Sequence, residues 1–203
     1  FWSYCPQTRL MEDTYRTIDN NIGEGYYTEK RSKFLAFAHH IESADEAMEI
    51  VKQYRKKYYD ARHCCYAYMV GPERNEFRAN DDGEPSSTAG KPILGQINSN
   101  ELTEILIVVI RYYGGVNLGT GGLIVAYRTA AADAISHCKI EDRIVEEKIE
   151  YKFTYPMMNS VMHVIKSMPA KIVAQHFDNN CSITISIRKS MAEEMRSRLS
   201  KIY

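Results

Sequence analysis

Two hydrophobic periods run along the chain, one near two residues and one near 3.6, and they divide it into strands and helices. From Gly25 to His39, the apolar positions Tyr26, Tyr27, Phe34, Leu35 and Phe37 flank the polar stretch Thr28 to Lys33, which predicts a hairpin-like pair of extended segments. Ser43, with Glu46 three residues later, has the form of a capping box, and Ala44, Ala47, Met48, Val51 and Tyr54 then recur at helical spacing. His63 to Val70 predicts a strand that stops at Gly71-Pro72, and Asn80 to Pro92, dense in Asp-Gly, Glu-Pro and Ser-Ser, predicts a loop.

The run Ile105 to Ile110 is apolar at every position and mostly β-branched, so the strand predicted over Leu102 to Tyr113 belongs at the centre of a sheet covered on both faces. Five glycines follow within nine residues: Gly114, Gly115, Gly119, Gly121 and Gly122. A helix is predicted over Leu123 to Cys138, with Leu123, Tyr127, Ala130, Ala131 and Ala134 on one face and Thr120 as its cap. After a charge-rich hinge at Glu141 to Glu147, the pattern reads strand (Ile149 to Tyr155), helix (Met157 to Met168), hairpin (Lys171 to Phe177 and Cys181 to Arg188) and helix (Ser190 to Ile202). That β-α-β-β-α order is a ferredoxin-like layout without its last strand, which is either absent or lies beyond this chain. The fold class expected is therefore α+β in two domains, 15–142 and 147–203, with residues 1–14 set aside as an extension because the first methionine is Met11.

Composition narrows the function classes. Lys plus Arg and Asp plus Glu both number 26, so no global basic field marks the chain as a strongly basic nucleic-acid binder. The segment from Glu146 onward carries nine basic and six acidic side chains, too slight a tilt to assign a partner. The longest strongly apolar run is six residues, far below the roughly 20 of a membrane-spanning helix, so no membrane partner is expected. The five cysteines are odd in number and form no C-x-x-C pair, which predicts reduced thiols in a cytoplasmic protein.

Chemistry concentrates in two stretches. The glycines Gly114, Gly115, Gly119, Gly121 and Gly122, with Thr120, bring bare N–H groups to the start of a helix, where partial positive charge favours an anion. Arg111 and Arg128 could add formal charge, and Tyr112 or Tyr113 could stack on a base. Neither a Walker nor a Rossmann spacing is met, and the competing reading is that the glycines only allow close strand-to-helix packing. The loop Asp81-Asp82-Gly83-Glu84-Pro85-Ser86-Ser87-Thr88-Ala89-Gly90-Lys91 gathers carboxylates that could hold Mg²⁺ and hydroxyls and a lysine that could meet phosphate, against turn chemistry and a helix cap. His63 and Cys65 fall on one strand face about 7 Å apart, beyond a direct imidazole–thiolate contact, so no nucleophile or metal is assigned to His63-Cys64-Cys65 or to His137-Cys138.

The segment Gly90-x-x-Ile93-Leu94-x-x-Ile97-x4-Leu102-x5-Val108-Val109-x-Arg111-Tyr-Tyr-Gly-Gly-x-x-Leu118-Gly119, with the preceding Asp-Asp-Gly-Glu-Pro-Ser-x-Thr-Ala-Gly-Lys-Pro, resembles the signature of the IMPACT (YigZ-type) family. The resemblance covers Tyr15 to Tyr203. It implies an N-terminal domain similar to the second domain of a small-subunit ribosomal protein, a fold also found in elongation factor G and in small-molecule kinases. It also implies a ferredoxin-like C-terminal domain similar to the last domain of elongation factor G. For function it implies a translation-associated role in binding nucleic acid or the translation machinery, at Arg111 to Gly115 and the Asp81 to Lys91 loop. The expected protein is then a monomeric, cofactor-free binding protein. Its anion or RNA groove is formed by Arg111, Tyr112, Tyr113, Gly114, Gly115, Gly119, Thr120, Gly121, Gly122 and Arg128 together with Asp81, Asp82, Glu84, Ser86, Thr88 and Lys91. The alternatives are a phosphotransferase with Mg²⁺ on Asp81 or Asp82, and a protein–protein adaptor that uses the same loop.

Overall fold

A computed structural model describes residues 13–203; the expectation for the first twelve residues lies outside the described ones. The chain forms two compact units, Tyr15–Arg143 and Ile144–Tyr203, the latter including Asp13 and Thr14. Asp13, set aside with the extension, is buried, and its carboxylate accepts hydrogen bonds from the hydroxyl and backbone N–H of Ser190.

In chain order the first unit holds β1 (Thr14–Ile18), β2 (Gly23–Glu29), β3 (Ser32–His40), α1 (Ala44–Lys57), β4 (His63–Val70), β5 (Glu76–Asn80), α2 (Gly90–Ser99), β6 (Ile105–Tyr112), α3 (Gly119–Ser136) and β7 (Ile140–Ile144). Its main sheet has the order β2-β3-β6-β4-β5, with β6 in the centre, and β1 and β7 form a separate two-stranded ladder. Ile105 to Ile110 are fully buried. Alternation sends Ile105, Ile107 and Val109 toward the core shared with α2 and α3, and Leu106, Val108 and Ile110 toward the core shared with α1. Each such side chain contributes about 1.5–3 kcal/mol through burial.

The capping box at α1 forms in part: the Glu46 N–H donates to Ser43 Oγ at 3.1 Å, while the Glu46 carboxylate accepts from the N–H of Glu42. The β2–β3 hairpin closes with Lys30 and Arg31 alone, both at positive φ (44° and 68°), in a two-residue turn of the kind usually filled by Asn-Gly. Edge strand β2 lies so close to α3 that a Cβ at Gly25 would run into the backbone of Ala130 and Ala134, which accounts for the small residues on both partners.

Three sequence expectations give way here, and a strand forms where the pattern predicts none. The loop expected over Asn80 to Pro92 gives way to α2 at Gly90. The hinge at Glu141 to Glu147 is strand, β7 as far as Ile144 and a further strand from Glu146. β5 was not foreseen. α3 starts at Gly119, so Thr120 lies inside it and Leu118 stands at the N-cap position without a side-chain hydrogen bond. Glycines that the local pattern assigns to a turn are drawn into the helix because Leu123, Ala126 and Tyr127 bury against the sheet.

The second unit holds β8 (Glu146–Phe153), a single 3₁₀ turn (Tyr155–Met157), α4 (Met158–Lys166), β9 (Ala170–His176), β10 (Cys181–Arg188) and α5 (Lys189–Ser200). The sheet order β8-β10-β9, antiparallel throughout, is the ferredoxin-like arrangement with three strands among the described residues. Ile149 and Phe153 of β8, Ile183, Ile185 and Ile187 of β10, Val161 and Ile165 of α4, and Met195 and Leu199 of α5 make its core. Among the described residues no helix is long and apolar enough to cross a membrane.

Candidate functional site

The candidate site lies where β6 ends and α3 begins. Arg111, on the α2/α3 face of β6, is only 5% exposed. Its Nη1 donates to Glu84 Oε1 at 2.5 Å and its Nη2 to Ser32 Oγ at 3.4 Å, while Nε is buried without a partner among the described residues. Glu84 is 7% exposed, and the same carboxylate oxygen accepts the Tyr127 hydroxyl at 2.7 Å. A carboxylate this far from water requires such partners, since an uncompensated buried charge costs several kcal/mol. Burial pushes the Tyr127 hydroxyl far above its ordinary value, with Cys65 and Glu84 adding to the effect, so it acts as a donor at neutral pH.

Around that floor stand groups from three other segments. The Nδ1 of His63 lies 2.7 Å from the carbonyl oxygen of Asp82; a carbonyl only accepts, so Nδ1 carries the hydrogen. Its Nε2 lies 3.6 Å from Glu84 Oε1. The neighbouring thiols are inert: burial pushes Cys64 up to about 11 and Cys65 well above its ordinary value, and Cys65 donates to the Asp81 carbonyl at 3.1 Å. A hollow of about 420 Å³ opens above the cluster, walled by Arg62 and His63, by Gly83 to Pro85, by Tyr113, and by Asn117 to Thr120 with Leu123. The guanidinium of Arg62 lies over the Tyr113 ring, 4.8 Å from its centroid.

Of the residues expected to bind, the hollow brings together Glu84, Arg111, Tyr113, Gly119 and Thr120. The others lie elsewhere. The Tyr112 hydroxyl donates to Asp60 Oδ1 at 2.9 Å. The N–H of Gly114 donates to Ser32 Oγ, and a Cβ at Gly114 would collide with the backbone of Arg31, so this glycine serves close packing. Gly115 is exposed at φ 87°, Gly121 is exposed on α3, Gly122 packs on Leu118, and Arg128 is exposed further along α3.

Within the loop, Asp81 accepts the N–H groups of Ser87, Ala89 and Gly90 and so caps α2, while Asp82 Oδ2 accepts the N–H of Cys64 at 2.7 Å. The Thr88 hydroxyl donates to the carbonyl of Pro85, and Ser86 and Lys91 are exposed. The carboxylates considered for Mg²⁺ are thus engaged with backbone amides, and Arg111, considered for the ligand, is engaged with Glu84. Two further residues, Arg62 and His63, line the hollow without being among those the sequence pointed to for binding. No local pattern could have found them, because the antiparallel register that sets His63 opposite Arg111 is long-range.

A family model for the Impact N-terminal domain matches residues 30–135, from the β2–β3 turn through the loop to nearly the end of α3. An IMPACT family member of Haemophilus influenzae is 30% identical over 174 residues, 85% of this chain and 84% of the relative. The IMPACT family member YvyE of Bacillus subtilis is 29% identical over 170 residues, 84% of this chain and 78% of the relative. A solved structure titled a hypothetical protein superposes with a TM-score of 0.73 at 26% identity, covering 93% of this chain and 92% of that one. The chain belongs to the IMPACT family.

Proposed function

We propose that the chain is a binding protein in a translational setting and that the hollow at the start of α3 holds a phosphate of an RNA ligand. The observation that carries this reading is an 18-residue helix whose first turn has no side-chain cap and faces an open hollow beside the exposed Arg62. Unsatisfied N–H groups and the helix dipole together favour an anion there. Arg111 supports the site as its floor, where its charge is balanced by Glu84. The translational setting follows what the family resemblance implies.

The test is the affinity of the full chain for a fluorescein-labelled oligoribonucleotide, measured by anisotropy over a salt series. Thr120→Glu places a carboxylate where the phosphate would sit and is expected to weaken binding about tenfold or more. Arg62→Ala is expected to lower affinity and to reduce the salt slope by about one. An affinity indifferent to salt and to both substitutions overturns the proposal.

A further inference from the structure

A second hollow, of about 560 Å³, is lined by Tyr26, Arg31, Lys33, Leu35, Tyr112 and Tyr113. Tyr113 belongs to both hollows, since it stands just past the end of β6, where the sheet's two faces meet. The strand registers place Tyr26 opposite Leu35, and Lys33 opposite Tyr112, so these four side chains share the α1 face of the sheet. Helix α1 packs over β4 and β6, and at the β2–β3 end of that face Tyr26 remains 51% exposed and Tyr113 38% exposed.

We infer that the RNA bound at the α3 hollow is single-stranded and continues past Tyr113 onto this sheet face, where bases stack on Tyr26 and Tyr112 and phosphates meet Arg31 and Lys33. The inference rests on the reading of the α3 hollow as a phosphate site. Three observations support it. The lining combines aromatic rings with two cations and no carboxylate, the pairing that sequence-tolerant single-strand binding uses. The Tyr112 ring is held by its hydroxyl bond to Asp60. The hairpin tip keeps Lys30 and Arg31 at positive φ, where Asn or Gly would sit without strain, and the backbone of Arg31 is pinned against Gly114. Backbone strain retained at Arg31, which lines the open aromatic face, points to the cation itself.

Tyr26 and Tyr112 are two strands apart and offset by two residues, a separation of about 12 Å between Cα atoms. An extended strand with its bases splayed out spans that gap. A duplex keeps its bases stacked on each other and offers no face to either ring.

The experiment compares a labelled 12-mer of oligouridylate with an RNA duplex of the same length, both on the full chain, with Tyr26→Ala, Tyr26→Phe, Lys33→Ala and Thr120→Glu. Tyr26 and Lys33 are exposed, so their substitutions leave the fold intact. Tyr26→Ala should weaken the single strand by roughly five- to 150-fold, Tyr26→Phe should restore it, and Lys33→Ala should weaken it and flatten its salt dependence. The duplex should bind more weakly and ignore Tyr26→Ala. If Thr120→Glu weakens the single strand while Tyr26→Ala does not, the stacking track is refuted and the α3 hollow stands. If Tyr26→Ala weakens it while Thr120→Glu does not, the track stands and the hollow reading falls. A duplex bound as tightly as the single strand and equally sensitive to Tyr26→Ala refutes single-strand selection, and indifference to every substitution refutes both.

Discussion

Arg111 and Glu84 form a buried ion pair whose removal, one partner at a time, should cost far more than removal of both. Their side chains are 6% and 3% exposed, and the contact is 2.5 Å. Arg111→Leu would strand the Glu84 carboxylate with the Tyr127 hydroxyl as its remaining close donor, His63 Nε2 being 3.6 Å away. Glu84→Leu would strand the guanidinium with the Ser32 hydroxyl at 3.4 Å and take the acceptor from Tyr127. Breaking such a pair costs about 3–5 kcal/mol, whereas apolar replacement of both partners is often close to neutral. The surroundings suit the double replacement, because the guanidinium lies 5.5 Å from the Phe34 ring centroid. Each single variant should therefore lose about 3–5 kcal/mol and the double less than either, a coupling of several kcal/mol.

The assay is urea unfolding read by pulsed thiol labelling of Cys64 and Cys65, which are buried in the first unit and report its unfolding apart from the second. With a urea slope of about 1–3 kcal/mol per molar, each single variant should shift the midpoint by about 1 M or more. Single costs below about 1 kcal/mol, or strictly additive effects, would mean a solvated pair of the surface kind and would refute the reasoning.

Two further outcomes follow from the same geometry. Asp81→Ala removes the acceptor for the N–H groups of Ser87, Ala89 and Gly90, so the first unit should lose about 2–3 kcal/mol and the Ala89 and Gly90 amides should exchange faster; a loss under about 0.5 kcal/mol would show that water replaces the cap. Because Cys64 is pushed up to about 11 by burial, its contribution is intact below the unfolded thiol value near 9 and is lost as pH rises through 11. The cost is about 3 kcal/mol from this group alone, with Cys65 shifted the same way. Urea midpoints at pH 8, 9.5 and 11 should fall in that order, and a flat series would contradict the burial of the thiol.

Elements whose burial pattern repeats along their own length were legible in the sequence. The central strand β6 is apolar almost throughout, helix α1 behind its Ser43 cap carries a helical period, and the β2–β3 hairpin and the β-α-β-β-α order of the second unit could be read from local pattern and turn residues without knowing their neighbours. Elements whose reason lies elsewhere in the chain were not. β5 is largely exposed and polar, and pairing with β4 is what makes it a strand. Helix α2 opens on Gly90, Lys91 and Pro92, and it forms where Asp81 caps it from a distance while Ile93 and Ile97 bury against the sheet. β7 is charged and is held by β1 from the far end of its unit.

The candidate site divides in the same way. That a glycine-rich turn, Arg111 and an acidic loop belong together was visible in the residues. Which of them faces solvent was settled by folding: the register that sets His63 opposite Arg111 also brings Glu84 onto the guanidinium, turning the expected ligand group into the floor and leaving Arg62 and the first turn of α3 at the rim. Local periodicity fixes an element such as β6 or α1 because it needs only neighbouring residues. The pairing of a buried charge depends on contacts 27 residues apart, and desolvation leaves that charge no alternative to the partner the fold provides.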